Sequence, residues 1–328
     1  MNNLKYILFG VFLSLVACEH GQPTVQYAIE ACAPMPSPRA CATSFVVEND
    51  AYIFGGRDSA GTYLNDLWRY NTDDDTWHNL GETPLESRVH ATAGVYDGMV
   101  YIGLGFNGKY NNRESYFTDW WRYNPATNTW TELESFPAGT TARTICLVGD
   151  GELYVGYGFC WTYERDMYRY DIAEDSWAFI DVHLDRKAFT FPTRSFGGVG
   201  ATCQRRYFAG TGFRINSLNW WGEFLPDGQW LKRKDVPGKR TTAACAATED
   251  FVYVIGGSYF GGVNTDGRVL SDIQQYDPQT DTWQHVGNIP CGGRTNHVAF
   301  HVDKRVFVGL GENEDIQVCG DLYCIYEK

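Results

Sequence analysis

"FTDWWRYNPATNTW" (117–130) reads as an aromatic strand, a polar turn and a second strand that opens on Trp130. Nearly the same phrase stands at "YLNDLWRYNTDDDTW" (63–77) and at "LSDIQQYDPQTDTW" (270–283). Such a repeat decides the fold, because each copy is one supersecondary unit that must stack on its neighbours to bury its apolar face. Working outward, Trp77, Trp130, Trp177, Trp230 and Trp283 are spaced 53, 47, 53 and 53 residues apart. An aromatic strand precedes each: "DLWRYN" (66–71), "DWWRYN" (119–124), "DMYRYD" (166–171), "NWWGEF" (219–224) and "DIQQYD" (272–277). Further upstream lies a strand that ends in glycine: "YIFGG" (52–56), "YIGLG" (101–105), "YVGYG" (154–158), "YFAGTG" (207–212) and "YVIGG" (253–257). A sixth unit has "VFVGLG" (306–311) and "DLYCIYEK" (321–328).

Each unit therefore holds four short strands in about 50 residues, the pattern of a propeller blade. The glycine pair, then Tyr and Trp at fixed offsets, resembles the kelch family over residues 24–328. The fold expected is all-β: a six-bladed kelch β-propeller with four antiparallel strands per blade. The fourth unit departs furthest, with Gly-Thr-Gly and "FLPDGQW" (224–230), but Trp230 arrives on schedule. In the sixth unit a fourth strand is missing, and "TVQYAIEACAP" (24–34) is expected to supply it, with Val25 in the place of the Trp. Pairing with "LYCIYE" (322–327) would close the ring and leave no sheet edge open. Aligned on the second blade, this pairing brings Cys32 near Cys319 and suggests a disulfide between them, with Cys32–Cys41 as the rival.

The N-terminus carries "YILFGVFLSLVA" (6–17), an apolar run too short to span a bilayer but with signal-peptide anatomy. It ends in "LVAC" (15–18), which resembles the lipobox of bacterial lipoproteins and implies lipidation of Cys18. The alternative is an ordinary signal peptide with a coincidental Cys. The expected organisation is a signal peptide over 1–17, an anchor and short tether over 18–23, and the propeller over 24–328. This implies a monomer in the bacterial cell envelope, at the outer membrane, touching the bilayer through the lipid alone. A net charge of −13 and no basic run argue against nucleic acid as a partner. Ten cysteines less Cys18 leave nine, so not all can pair within one molecule.

Within the repeat, the tryptophans are expected between blades, since aromatics bury the most area per residue. Cys146, Cys203 and Cys245 read as small packing residues on inner strands, and Asp73, Asp74 and Asp75 as a solvated turn. Strand order sends the variable loops to one face, called the upper, among them "RDSAGTYLN" (57–65), "FNGKYNNRESYFT" (106–118) and "ENEDIQVCG" (312–320). Variable loops on a repeating scaffold accumulate binding residues, here Lys109 and Arg113. Arg39, Arg88, Arg240 and Arg294 each stand 17 residues before the last glycine of their blade, Arg194 stands 18 before, and blade 3 has Thr141 at that place with Arg143 two residues later. These arginines are expected to ring the channel mouth as a positive focus, or else to brace backbone carbonyls between blades. Bidentate capture of a carboxylate or sulfate is what a guanidinium does well, and in some kelch adaptor domains the matching arginines bind acidic peptide loops.

Two kelch-type enzymes frame the catalytic alternative. Copper chemistry of the galactose-oxidase kind needs a His and Tyr ligand set, and His78, His183 and His285 are peripheral, so no metal or other cofactor is expected. A sialic-acid epimerase needs an anion anchor and an acid–base pair, for which His90, His297 and Glu312 are the candidates. The expected function is therefore a membrane-anchored propeller that binds an acidic glycan, a small anion or a protein partner on its upper face. Sugar epimerase or mutarotase activity, and a purely structural envelope role, stand as alternatives.

Overall fold

The computed structural model describes residues 26–328 apart from 109–112, 140, 161, 164–165, 183–194 and 262–266, with the backbone alone for Arg113, Cys160, Thr162 and Tyr163. The chain forms a six-bladed β-propeller of four-stranded antiparallel sheets. Blade 1 comprises Thr43–Val47, Asp50–Phe54, Asp66–Asn71 and Thr76–Glu82, counted outward from the axis. The next four blades repeat it, with innermost strands at Thr92–Tyr96, Ile145–Gly149, Val199–Cys203 and Ala244–Ala247. Blade 6 comprises Val298–Val302, Arg305–Gly309 and Leu322–Glu327, completed on the outside by the N-terminal strand Tyr27–Cys32. Each innermost strand packs against that of the blades on either side, and blade 6 against blade 1, so the ring closes. One 3-10 turn, Arg113–Ser115, is the helical content among the described residues, none of which forms a helix able to cross a membrane.

Burial follows strand position. Second strands such as Asp50–Phe54 and Met99–Gly103 are buried at every residue after the first, because a neighbouring blade covers each face. That is why they read as continuous apolar runs rather than as alternation. Fourth strands are the most exposed, and in them the Trp turns inward onto the third-strand Tyr: ring centroids are 4.7 Å apart for Tyr70–Trp77, 4.4 Å for Tyr123–Trp130 and 4.9 Å for Tyr276–Trp283. The glycine pairs are steric. At Gly56 (φ +93°) a Cβ would lie 2.8 Å from the Ala40 carbonyl oxygen, where the chain crosses toward the innermost strand.

A polar clasp ties each of three blade pairs from outside. The Tyr70 hydroxyl donates to Asp75 Oδ1 at 2.6 Å, and the Ala33 amide from blade 6 donates to the same oxygen at 2.8 Å. Trp77 Nε1 then donates to the Ala33 carbonyl at 2.9 Å. Tyr170, Asp175, Glu134 and Trp177 repeat the arrangement, as do Tyr276, Asp281, Lys234 and Trp283. Asp75 stands in an exposed turn with Asp73 and Asp74, as expected from sequence, and serves there as a structural acceptor as well. Blade 4 has Phe224 in the Tyr position and lacks the hydroxyl.

The closing strand corrects the expected register. Ile29 faces Ile325, the position at which other blades pair Trp with Tyr, four residues along from the expected Val25. Cys32 consequently lies opposite Leu322 and not beside Cys319. Cys319 and Cys32 are separate thiols, and Cys319 Sγ donates to the Gln317 carbonyl at 3.3 Å. The expected Cys32–Cys319 bridge came from a four-residue slip.

Candidate functional site at the channel mouth

The four repeat arginines come first: of the two expected roles the structure shows bracing, with carbonyls of the same blade, and not a ring of free guanidiniums. Arg39 is fully buried and grips Asp66 with two hydrogen bonds of 2.6 and 3.0 Å, while Nη1 also donates to the Gly55 carbonyl at 3.0 Å. Arg88 does the same with Asp119 (2.6 and 2.8 Å) and the Leu104 carbonyl, and Arg240 with Asp272 (3.1 and 2.8 Å) and the Gly256 carbonyl. Arg294 donates to Asp321 Oδ2 at 2.8 Å. Burial works to raise the Asp66 carboxyl, and the hydrogen bonds and charge of Arg39 outweigh it, holding Asp66 below the usual carboxylate range. Each cation is spent on an aspartate at the start of its own blade's third strand, so these residues brace the loops instead of facing a ligand. Lys109 and Arg194, like Cys18, lie outside the described residues, as does the side chain of Arg113.

Two residues after the bracing position the chain reaches the axis. Cys41, His90, Arg143, Gly197, Thr242 and Asn296, one from each blade, all take left-handed backbone with φ between +52° and +62°. Side chains other than glycine rarely accept this conformation, at a cost of roughly 1–2 kcal/mol each. A relay of main-chain hydrogen bonds holds them: Cys41 N to Asn296 O (2.8 Å), His90 N to Cys41 O (2.9 Å), Arg143 N to His90 O (3.4 Å), Thr242 N to Gly197 O (2.8 Å) and Asn296 N to Thr242 O (3.1 Å). These six residues line an axial cavity of about 200 Å³.

A second tier sits above them. The residue after each blade's last glycine (Arg57, Phe106, Phe159, Phe213, Ser258 or Glu312) bridges antiparallel to the residue just before the ring position. Blades 6 and 1 thereby supply an ion pair, Arg57 to Glu312, whose other carboxylate oxygen accepts from Asn296 Nδ2 at 2.9 Å. Blades 1 to 4 supply an aromatic wall, its rings in sequential contact from Tyr63 through Phe106, Tyr116, Phe159 and Phe196 to Phe213 at centroid distances of 4.7 to 6.4 Å. Between these halves opens a cavity of about 430 Å³, bordered by Arg57, His90 and Arg143.

Arg143 is the unusual group. Its guanidinium lies 5.5 Å from the centre of the Phe196 ring, and among the described residues no carboxylate pairs with it. Burial pushes its pKa down from the ordinary arginine value. Burial also holds His90 well below the ordinary imidazole range, reinforced by the charges of Arg143 and Arg57, so the ring is neutral at pH 7. Glu312 is buried within the ion pair. The structure thus puts His90 on the cavity wall, keeps Glu312 behind that wall through Arg57 and Asn296, and leaves His297 beneath on the axial cavity. His297 is 7% exposed, neither ring nitrogen makes a hydrogen bond of normal geometry, and burial followed by the charge of Arg294 lowers its pKa to about 3. Cys41, pushed up by burial to about 11, is not poised as a nucleophile. Among the described residues no group of His, Cys, Asp and Glu is arranged to hold a metal ion.

Sequence reasoning passed over Arg57, Asn296 and the aromatic wall. It noted Arg143 only as an irregular member of the arginine series. The available signal was the second residue after each bracing position, which reads Cys, His, Arg, Gly, Thr and Asn around the ring.

Comparison with known proteins places this geometry in context. Residues 22–210 match the KLHDC2/KLHL20/DRC7 Kelch-repeats domain, and residues 239–290 match the Kelch motif. The chain is 25% identical to N-acetylneuraminate epimerase 1 of Escherichia coli over 241 residues, covering 72% of this chain and 56% of that protein. It is 26% identical to human Kelch-like protein 23 over 254 residues, covering 75% of this chain and 41% of the relative. It is 33% identical to mouse Kelch domain-containing protein 3 over 115 residues, 31% of this chain and 29% of that one. The chain thus spans about half or less of the length of the relatives it matches.

Proposed function

The chain belongs to the kelch-repeat family, and we propose that its channel mouth binds a small organic anion, a carboxylated sugar being the class that fits best. The observation that carries this reading is the guanidinium of Arg143, which has no carboxylate partner among the described residues and stands between an aromatic wall and a polar pair. A semi-buried cation without a counter-ion is costly unless a ligand supplies the charge, and a carboxylate supplies it with two aligned acceptors. The aromatic wall offers flat faces for the apolar side of a sugar ring. A cavity of about 430 Å³ lies within the usual span for small-molecule sites. The acidic surface elsewhere leaves this mouth as the attractive spot for an anion. Kelch propellers generally mediate protein interactions, and an acidic side chain of a protein partner would use the same guanidinium. Anchoring through Cys18 in a bacterial cell envelope, as a monomer, belongs to the same proposal and rests on "LVAC" (15–18).

The test is calorimetric titration with N-acetylneuraminate, glucuronate and a neutral hexose. Binding of an acid sugar but not of the neutral one, weakened at least about thirtyfold in Arg143→Met, is the expected outcome. Equal affinity for the variant would sink the reading.

A second reading is favoured by the epimerase relative together with the place of His90 on the cavity wall. Anomer exchange requires one group to take the anomeric hydroxyl proton while another protonates the ring oxygen. His90 borders the cavity and Glu312 lies behind it, ion-paired with Arg57, and these are the groups this reading assigns to the two transfers. NMR exchange spectroscopy on the bound sugar's anomers tests this, since rates no faster than in buffer would remove it.

A further inference from the structure

We propose that Cys32 and Cys324 form a cross-strand disulfide that covalently closes the propeller ring. In five blades the fourth strand follows the third through a turn of a few residues. In blade 6 it is the N-terminal strand Tyr27–Cys32, far from its partner Leu322–Glu327 in sequence and held by ladder bonds and scattered side-chain ties. This is the one seam around the sheets where the chain does not connect the third strand to the fourth. A link here would join nearly the full length of the propeller into one loop.

The register places the two cysteines for this. Glu30 faces Cys324 and Cys32 faces Leu322, so Cys32 and Cys324 are diagonal neighbours on the same face of the pair. Both belong to the apolar cluster between blades 6 and 1, with Met35, Tyr70 and Phe307; Cys324 is buried and Cys32 half-buried. Diagonal positions in an antiparallel pair lie about 7–8 Å apart, against an upper Cα separation of about 6.8 Å for a disulfide. An outermost strand with one sheet neighbour can shift by that difference. The two thiols influence each other, Cys324 lowering the pKa of Cys32 and Cys32 raising that of the more buried Cys324.

The asymmetry gives an order of events with a small-molecule or protein disulfide as oxidant. Cys32 thiolate attacks one sulfur of that disulfide, whose S–S bond breaks and releases one thiol that carries away a proton. Cys324 then loses its proton and attacks Cys32 Sγ, forming the internal bond and releasing the second thiol. Two protons and two electrons leave the cysteine pair, and the oxidant is reduced to two thiols.

The experiment equilibrates the full chain with oxidised glutathione, blocks free thiols by alkylation, and maps peptides by mass spectrometry without reduction. A linked pair of peptides containing Cys32 and Cys324 is expected. Reduction should then lower Tm by roughly 4–10 °C in the wild type and leave Cys32→Ala unmoved. Cys32 is the half-buried partner, so this variant gives the comparison even if Cys324→Ala fails to fold. Recovery of both cysteines alkylated, or a link from Cys32 to Cys319 or Cys41, overturns the proposal.

Discussion

Two sets of positions, two residues apart in the chain, behave oppositely at the top of this propeller. Residues 39, 88, 240 and 294 are all arginine, all buried, and all neutralised by an aspartate of the same blade. Residues 41, 90, 143, 197, 242 and 296 share one backbone conformation and no two share a side chain. The first set spends its chemistry on holding loops, and the second is held and displays. Arg143 is a guanidinium in the displaying set, which is why it lacks the aspartate that the others have. Charge at this mouth is therefore set by partners and not by a count of arginines.

Several measurements would break or sharpen that contrast. Arg88→Ala should have the largest effect, because it leaves Asp119 and the Leu104 carbonyl without their buried donor. A loss of about 3–5 kcal/mol in unfolding free energy is expected, and denaturant melts showing under about 1 kcal/mol would erase the bracing role. Next comes acid. His297 is held near 3 when folded against 6.5 for the free group, so the unfolded chain takes up the proton first. Its contribution is intact above pH 6.5 and drains as pH falls toward 3, at up to about 1.4 kcal/mol per pH unit. His297→Phe should flatten stability between pH 6.5 and 4.5 by about one proton, and an unchanged slope would show that His297 protonates in place. Asp281→Ala should cost about 1–3 kcal/mol, since the Tyr276 hydroxyl and the Lys234 amide lose their common acceptor. Smallest in stability is Arg143→Met, expected within about 1 kcal/mol of the wild type while acid-sugar binding disappears. A large loss of stability in that variant would move Arg143 into the bracing set and end the contrast.

Much of the fold was legible, and for identifiable reasons. Tryptophan spacing and glycine-ended strands report blade number because every complete blade must fill the same inter-blade gap. The closing strand was legible by character but not by register: Ile29, which takes the Trp place, is not aromatic, and nothing local separates it from Val25. The arginines were visible while their neutralisation was not. Their aspartates follow at 27, 31, 32 and 27 residues, a spacing broken by upper loops of unequal length. The mouth was hardest to see, since its positions are defined by backbone shape and their side chains follow no pattern. Binding was expected at the arginine ring of the mouth and at loop residues such as Lys109 and Arg113; the cavity at this mouth lies at the loop roots, where Arg57 and Phe106 leave the sheets.

The main-chain relay at the mouth has an electrostatic corollary. Its five bonds each run from one blade to the blade before it, so these amides and carbonyls satisfy one another within the ring. Unlike the end of a helix, this opening has almost no polarity of its own. The sign of whatever enters is therefore written by one or two codons: Arg143→Glu, on an unchanged frame, should turn an anion port into a cation port.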